Sequence, residues 1–487
     1  MEMSKYKIKI LGNVFLLIFF FVALQVKAQE NMGMYYLHSV PNSVRLNPSS
    51  TLTYNGYFGG VIIPVSGQIL PPLNIGLSIN SFCYSDIIYK PGGAFGDSLA
   101  TVFHDVSKSR AFADGLRPIV RMDFHTYIDL LHFGFRTKDI FWHFSLVEKV
   151  EAGVSFPRDL LRLAVYGNDN FPDPYIDLSG FGAKALHYRE IGFGAAYEHS
   201  TVLSYGAKAK VLFGMGNLQF DKSKLEWRTN PETGDFIFNA DFNINASQPI
   251  FEILDFRYDS EGDSVVFKTK EKEFDPVSYI TNMKNGGVAI DLGATYSPVS
   301  NLKLHASIID LGFIRWKDNV TNLRAKGEFD FIGVCLNDLI TDTTNNMGSM
   351  YIDSLFKTFD IKPSHQSYKT IIPLKMYLGT SYQLTDIISF GALYHGRLWN
   401  KEFNSSVTLS ANLNNRGFGA VVSYTLMKNS YKNVGLGVAL RLGGWQTFLI
   451  TDNLLDAVFP QNGQRISFRF GTNWILGRQK KHTSLIK

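Results

Sequence analysis

Long hydrophobic runs, cysteines and an excess of one charge sign are all scarce in this sequence. After residue 28 no apolar stretch approaches the roughly 20 residues of a membrane-spanning helix, which excludes a helical membrane protein. The two cysteines, Cys83 and Cys335, lie far apart in the chain. Their number excludes a disulfide scaffold, and their spacing fits no zinc site.

The balance of charges excludes another class of function. The formal net charge of the 487-residue chain is +5. The first 28 residues hold four lysines and one glutamate, so the rest of the chain carries only about +2. Bulk charge therefore predicts no nucleic-acid partner. The 11 histidines lack the i, i+4 pairing of a zinc helix, and we expect neither a metal nor a cofactor.

The first 28 residues have the pattern of a secretory signal peptide. Lys5, Lys7 and Lys9 precede an apolar run from residue 10 to residue 24, and small residues before Gln29 mark a cleavage site. A membrane anchor is the alternative, but the run is shorter than the roughly 18 residues that a spanning helix needs. No cysteine follows the cleavage site to accept a lipid. We therefore predict export from the cytoplasm.

Strict alternation of large apolar residues with small or polar ones dominates the remaining chain. It is clearest in segments 202–213, 433–442 and 465–476, where leucine, valine and phenylalanine oppose glycine, serine, asparagine, lysine and arginine. This period of two predicts β-strands about ten residues long, as in a lipid-facing barrel. We predict an all-β fold, an antiparallel transmembrane β-barrel of about 14 strands (range 12–18), located in a bacterial outer membrane. The same pattern occurs in 73–80, 288–296, 372–381, 387–396 and 418–426.

A soluble β-sandwich alternates in the same way and is the competing interpretation. Aromatic residues at the predicted strand ends favour the barrel, because amphipathic rings suit a membrane interface. These aromatic residues are Tyr54, Tyr57, Trp142, Trp227, Trp316, Trp399 and Trp474.

Short connections, long excursions and two short helices complete the predicted organisation. A helix is expected over 97–114, and another from Pro157 to Tyr166, ended by Gly167. Short turns are predicted at 297–301 and 384–386, a hairpin loop at 230–235, and longer excursions at 84–120, 248–286, 333–368 and 451–464.

The polar face of these strands would line the inside of the barrel. The candidate lumen-lining residues are Lys208, Lys210, Asp291, Arg441 and Arg469. We divide the chain into a signal peptide (1–28), an N-terminal arm or lumen plug (29–50), the barrel (51–477) and a basic tail (478–487).

Two strings match a hydrolase family without its context. Gly96-Asp97-Ser98-Leu99 matches the GDSL motif, and Asp129-Leu130-Leu131-His132 matches the partner DxxH motif. A triad depends on geometry, and no alternating βα pattern connects the two strings. His305 and His395 are candidate lumen residues without an assigned nucleophile. The sequence therefore predicts a protein that is not an enzyme.

Several motifs resemble known barrel families. Arg45-Leu46-Asn47-Pro48-Ser49-Ser50 resembles the start of fatty-acid-transporter-type barrels, although Ser49-Ser50 replaces the usual Ala-Gly. The stretches 307–316, 156–161 and 469–474 resemble an uncharacterised family of Bacteroidota outer-membrane barrels, a domain of unknown function. This resemblance implies fold and location but no activity.

Two classes of function remain open. The first is passive transport of small or hydrophobic solutes, with the plug motif Arg45, Asn47 and Pro48 holding the arm in the lumen. The second is a structural or accessory barrel of a secretion or gliding apparatus. Expected partners are outer-membrane lipid, a small solute in the first case and secretion proteins in the second. A continuous apolar path would favour hydrophobic transport, and a lumen blocked by charged pairs would favour the structural role.

Overall fold

The computed structural model describes twelve stretches of the chain: 32–61, 72–90, 99–167, 175–229, 236–248, 251–258, 265–271, 275–331, 362–399, 402–415, 417–427 and 430–477. The predicted signal peptide, the basic tail and the 230–235 loop lie outside these described residues.

Alternating sequence produces long strands throughout the described chain. The longest, of 17 to 27 residues each, are the strands Ile119–Thr137, Ile140–Pro157, Gly182–Glu198 and Leu203–Thr229. In chain order the strands are β1 (Gly56–Gly59), β2 (Leu73–Ile79), β3 (Ile88–Tyr89), β4 (Ala100–Thr101), β5 (Ile119–Thr137), β6 (Ile140–Pro157), β7 (Tyr175–Asp177), β8 (Gly182–Glu198), β9 (Leu203–Thr229), β10 (Phe236–Ser247), β11 (Phe251–Tyr258), β12 (Val265–Glu271), β13 (Asn285–Val299), β14 (Leu302–Trp316), β15 (Val320–Phe331), β16 (Lys362–Ser364), β17 (Tyr368–Ile371), β18 (Leu374–Gln383), β19 (Ile388–Trp399), β20 (Glu402–Asn414), β21 (Phe418–Met427), β22 (Ser430–Leu442), β23 (Trp445–Thr451) and β24 (Arg465–Leu476).

These strands close into a ring of 14 antiparallel positions. β1 and β2 share one position, because both pair with β5 on one side and with β24 on the other. The ring then runs through β5, β6, β8, β9, β13, β14 and β18 to β24 in order. Pairing of the last strand with the first two removes the sheet edge, which a sandwich does not do. The predicted barrel of about 14 strands is confirmed.

The two faces of the wall differ as the alternation predicts. On β9, Tyr205 is 48% exposed and Val211 is 49% exposed, whereas Lys208 and Lys210 between them are 3% and 4% exposed. The apolar side chains therefore point outward and the lysines point into the barrel. Large apolar side chains are exposed in the same way on β13, β14, β18, β19, β20, β21 and β22. No helix in the described ranges has both the length and the apolar character needed to cross a membrane.

The two ends of the barrel carry connections of different length. At one end the described connections are tight turns, such as 300–301 between β13 and β14, 384–387 between β18 and β19, and 443–444 between β22 and β23. We call this the turn end. At the other end, the loop end, the long excursions begin, and β9 continues beyond the ring to pair with β10.

Short helices lie in the excursions and before the first strand. They are α1 (Tyr84–Ile87), α2 (Val106–Gly115), α3 (Arg158–Tyr166), α4 (Pro276–Ile280) and α5 (Leu454–Val458), with 3-10 turns at Met32–Tyr36, Pro41–Arg45, Val102–His104 and Pro460–Asn462. The predicted helix after Pro157 is confirmed, and Gly167 ends it with a φ of 70°.

The predicted helix over 97–114 is wrong at its start. Residues 97 and 98 lie outside the described residues, and Ala100–Thr101 pairs with Ile88–Tyr89 as a strand. The helix begins at Val106, because the Asp105 side chain accepts a hydrogen bond from the backbone nitrogen of Lys108 at 3.1 Å and caps the first turn.

The interpretation of the terminal aromatic residues as a membrane girdle is wrong for four of them. Tyr54, Tyr57, Trp316 and Trp399 are each at most 6% exposed and belong to apolar clusters inside the barrel. Trp316 can be buried because its indole nitrogen donates to the Thr370 hydroxyl oxygen at 3.1 Å. Position along a strand therefore did not decide which face these rings occupy.

Candidate functional site

The segment 32–50, which we call the arm, lies inside the ring. Its backbone nitrogens at Met32 and Gly33 donate to the Asp452 carboxylate at 2.8 and 3.2 Å. The Tyr36 hydroxyl contacts the opposite part of the wall, at the carbonyl oxygens of Thr380 (2.9 Å) and Ala392 (2.7 Å). Contacts with β18, β19 and the end of β23 place the arm across the barrel rather than along its outside.

A second set of contacts joins the arm to β5. Asn42 donates to an Asp129 carboxylate oxygen at 2.8 Å, and Arg45 forms an ion pair with the other oxygen. Asp129 is 2% exposed. His132, three residues further along β5, has its Nδ1 3.5 Å from the same carboxylate and its Nε2 2.8 Å from Asn473 Oδ1. The wall carboxylate therefore compensates the arginine of the arm.

Two wall glycines seat the Asn47-Pro48 motif. Gly206 of β9 and Gly293 of β13 are paired across neighbouring strands. A Cβ added at Gly206 would lie 2.2 Å from the Pro48 carbonyl oxygen, and one at Gly293 would lie 2.3 Å from Asn47 Oδ1. Only glycine allows the arm to approach the wall this closely.

Polar contacts complete this seat. Asn47 Oδ1 accepts from the backbone nitrogen and the hydroxyl of Ser49 at 3.1 and 2.8 Å. The Ser49 and Thr295 hydroxyls are 2.8 Å apart, and Ser307 donates to the Leu46 carbonyl oxygen at 2.6 Å. Ser49, which stands where fatty-acid-transporter-type barrels usually have alanine, thus makes a contact with the wall through its hydroxyl.

A network of buried charges occupies the middle of the barrel. Lys210 Nζ lies 2.7 Å from Asp291 and 2.5 Å from Asp310. Lys149 bridges Glu190 at 2.7 Å and Asp310 at 3.2 Å. All five side chains are nine-tenths buried or more, so each charge depends on its neighbours for compensation.

Further cations join the edges of this network. Lys208 lies 3.0 Å from Glu190 and donates to the Ser145 hydroxyl oxygen at 2.7 Å. Lys375 lies 3.6 Å from Asp310, the carboxylate that most of these lysines share.

A β-bulge places Asp310 at the centre. In β14 the pairing with β13 shifts at this point, and Asp310 adopts a φ of 63°. The bulge turns Ile309 and Asp310 inward in succession, at 4% and 1% exposure, which a regular strand cannot do. The stretch 307–316, which resembles the uncharacterised barrel family, therefore contains a carboxylate, that of Asp310, on a backbone with positive φ.

The structure groups most of the candidate lumen residues but not all. Lys208, Lys210 and Asp291 belong to the charge network, and Arg469 lines the small cavity beside it. Arg441 lies apart, near the turn end, where its Nε donates to the Gly443 carbonyl oxygen at 2.9 Å. Its guanidinium lies 5.0 Å from the centroid of the Tyr54 ring, and its role as a lumen-lining residue stays a prediction.

Sequence patterns missed the partners of these residues. The sequence did not identify five of these charged residues as lumen-lining: Asp129, Lys149, Glu190, Asp310 and Lys375. A charged residue at every second position was the available signal, as in Lys149-Val150-Glu151. Their meeting across the barrel depends on closure, which a local pattern does not contain.

Apolar side chains pack together in the lumen toward its loop end. Trp316 and Trp399 pack in one buried cluster with Leu186, Leu212 and Ile314. On β9, Leu212 follows the inward Lys208 and Lys210, so this cluster lies beyond the charges as seen from the turn end. Arm, charge network and apolar cluster therefore occupy three successive levels.

The hydrolase-like strings gain no support as a site within the described residues. Asp129 is occupied by Arg45 and Asn42 of the arm. Ser98 lies outside the described residues, and its neighbour Leu99 is 63% exposed in an excursion. His305 is buried between the Thr295 and Ser381 hydroxyls at 3.1 Å each, and His395 lies against the Tyr377 ring.

Comparison with known proteins identifies one family. The sequence model of DUF5723, a family of unknown function, matches residues 48–452 of this chain. No curated protein sequence matches the chain. A Bacteroidota origin stays a prediction.

Among solved structures, the chain is similar at low identity to two toluene transporters and a FadL homologue. The Ralstonia pickettii toluene transporter TbuX is 10% identical, with 90% of this chain and 94% of that chain covered and a TM-score of 0.38. A Pseudomonas aeruginosa FadL homologue is 10% identical, with 92% and 97% covered and a TM-score of 0.34. The Pseudomonas putida toluene transporter TodX is 8% identical, with 92% and 94% covered and a TM-score of 0.34.

Proposed function

This chain belongs to the DUF5723 family of unknown function, and we propose that it is an outer-membrane barrel that passes small solutes when its N-terminal arm leaves the lumen. The observation that carries the proposal is a closed wall, apolar outside and polar inside, with a separate segment folded into its lumen. A wall of this kind is stable in a bilayer because every strand is paired and hydrocarbon meets only apolar side chains.

The orientation follows from the connections. Barrels of this class carry short turns on the periplasmic side and longer loops outside the cell. The turn end is therefore periplasmic. Residues 47–50 enter the lumen beside Gly206 and Gly293, near the turn end of β9 and β13.

The lining supports a small polar solute rather than a hydrophobic one. Beneath the arm the wall presents lysine, aspartate, serine, threonine and asparagine side chains, among them Ser145, Lys208 and Asp291. Moving an apolar solute past this lining would leave buried charges without water or partner, which is costly. Small solutes that form hydrogen bonds replace those partners.

A structural barrel without transport activity is the second candidate. It is favoured by the blockage itself, since the arm, the charge network and the Trp316 cluster fill three successive levels of the lumen. Such a barrel would use its excursions to bind partners of a secretion or gliding apparatus. The two candidates differ in whether removing the arm opens a path.

Deletion of residues 30–44, with the signal cleavage site retained, tests the proposal. We expect the deletion protein to fold and to show a higher single-channel conductance in planar bilayers than the full chain. Flux of small polar solutes into liposomes should rise in parallel. Unchanged conductance in a correctly folded deletion protein would contradict transport and favour the structural candidate.

A matched pair of point variants separates arm displacement from general damage. Gly293→Ala places a Cβ 2.3 Å from Asn47 Oδ1 and should push the arm from its seat. Gly286→Ala lies on the same strand, where an added Cβ meets no atom within 4 Å. We expect raised conductance in the first variant and unchanged conductance in the second.

A further inference from the structure

Residues of the charge network line a small cavity. Its volume is about 50 Å³. The volume is that open to the centre of a water-sized sphere, and a buried water needs roughly 10–15 Å³ of it. The cavity therefore has room for a few waters or one small polyatomic ion. Its charged lining consists of Arg45, Lys149, Lys208, Lys210, Lys375 and Arg469 with Glu190, Asp291 and Asp310.

Positive charge exceeds negative charge around this cavity. Six cations and three carboxylates line it. Asp129 adds a fourth carboxylate through its ion pair with Arg45. Arg397 and Glu151, the next pair along the wall, compensate each other. The local excess of two positive charges is buried in the barrel, where uncompensated charge is strongly unfavourable.

Two arginines have unused donors at this place. Arg469 is 7% exposed, and its guanidinium makes no hydrogen bond or ion pair with any residue in the described ranges. Arg45 uses one nitrogen for Asp129, while its Nη2 is buried without an acceptor among the described residues. A guanidinium is planar and matches the spacing of oxygens in an oxyanion.

We propose that this cavity binds a small tetrahedral oxyanion of the inorganic phosphate class, held by Arg469 of the wall and Arg45 of the arm. The anion supplies the two missing negative charges and acceptors for the unused N–H groups. Because Arg45 belongs to the arm and Arg469 to β24, the anion joins the arm to the wall. The site depends on the described lumen alone and not on transport activity.

Inorganic phosphate binding to the full, folded protein in detergent micelles tests the proposal. The protein is refolded with or without phosphate at equal ionic strength set by chloride, and thermal unfolding is followed by tryptophan fluorescence. We expect phosphate to raise Tm in a saturable way. The absence of any phosphate-dependent change in Tm would overturn the proposal.

Two arginine variants show whether the effect belongs to this cavity. Arg469→Gln should weaken the apparent phosphate affinity at least about tenfold, because it removes a charge-assisted contact. Arg441→Gln removes a cation of the same barrel near the turn end and should leave the affinity unchanged. Equal loss in both variants would indicate non-specific attraction and overturn the proposal.

A measurement on the unmodified protein covers the case in which Arg469→Gln does not fold. Crystals grown with selenate should show an anomalous peak between Arg45 and Arg469. A peak elsewhere, or no peak at full selenate concentration, would overturn the site. The outcome does not bear on conductance, so the site and the proposed function can fail separately.

Discussion

An arginine on the outer face of β22 should cost stability according to its depth in the membrane. Leu436 lies at the middle of this strand, and Leu442 lies at its end on the same face, 72% exposed beside the tight turn. Their six-residue separation is about 20 Å along a strand at ~3.3 Å per residue. With a strand tilt of ~40°, the two side chains differ by roughly 15 Å along the barrel axis.

That difference fixes the expected magnitudes. The apolar band of such a barrel is ~25 Å tall, so a residue ~15 Å from its middle has reached the interface. Leu436→Arg should destabilise the barrel by ~2–4 kcal/mol, whereas Leu442→Arg should cost ~0–1 kcal/mol. The physical reason is the cost of placing a cation in hydrocarbon, which decreases as the side chain approaches water.

Reversible urea unfolding in lipid vesicles, followed by tryptophan fluorescence, measures both values. The Leu442→Arg protein is the matched control, since strand, face and substitution are the same. If the outer face met water, both variants would change the free energy of unfolding by only a few tenths of a kcal/mol. Equal effects, or a larger effect at Leu442, would refute the assignment of this face to lipid.

Two further variants test the inside of the barrel in the same assay. Gly437→Ser should destabilise by about 1–3 kcal/mol, because its Cβ would lie 2.7 Å from the Val421 Cγ1 atom in a packed interior. An unchanged free energy of unfolding would show that the wall can move to make room. Trp316→Ala should cost ~3–5 kcal/mol as a core truncation, well above the cost of Trp474→Ala, because Trp474 is partly exposed. The reverse order would place Trp316 at the membrane interface.

The Gly437 prediction shows what the alternation left undecided. From the sequence alone, residue 437 faces the lumen, because it follows the outward Leu436, and a serine there should be tolerated if the lumen has room. The direction is right, since Gly437 is inward. The space is absent, because Val421 of β21 and Ile450 of β23 both approach the added Cβ. Only the neighbouring strands determine that.

The same distinction separates Lys208 from Arg441. Both alternate with apolar neighbours, so both were expected to line the lumen. Lys208 is deep in the barrel and meets Glu190, whereas Arg441 lies beside a turn and contacts Gly443. A period of two specifies which side chains share a face, but it does not specify how far along the barrel axis each of them lies. Depth is set by where the strand begins in the ring.

The sequence by itself determined the strands, their faces, the tight turns and the approximate number of positions in the ring, because these depend on neighbours within ten residues. Tertiary structure decided which charges meet, such as Lys149 with Asp310, and that Trp316 packs inside. It also placed the arm against Gly206 and Gly293. These contacts join residues far apart in the chain, and they exist only after β24 has paired with β1 and β2 and the lumen has closed.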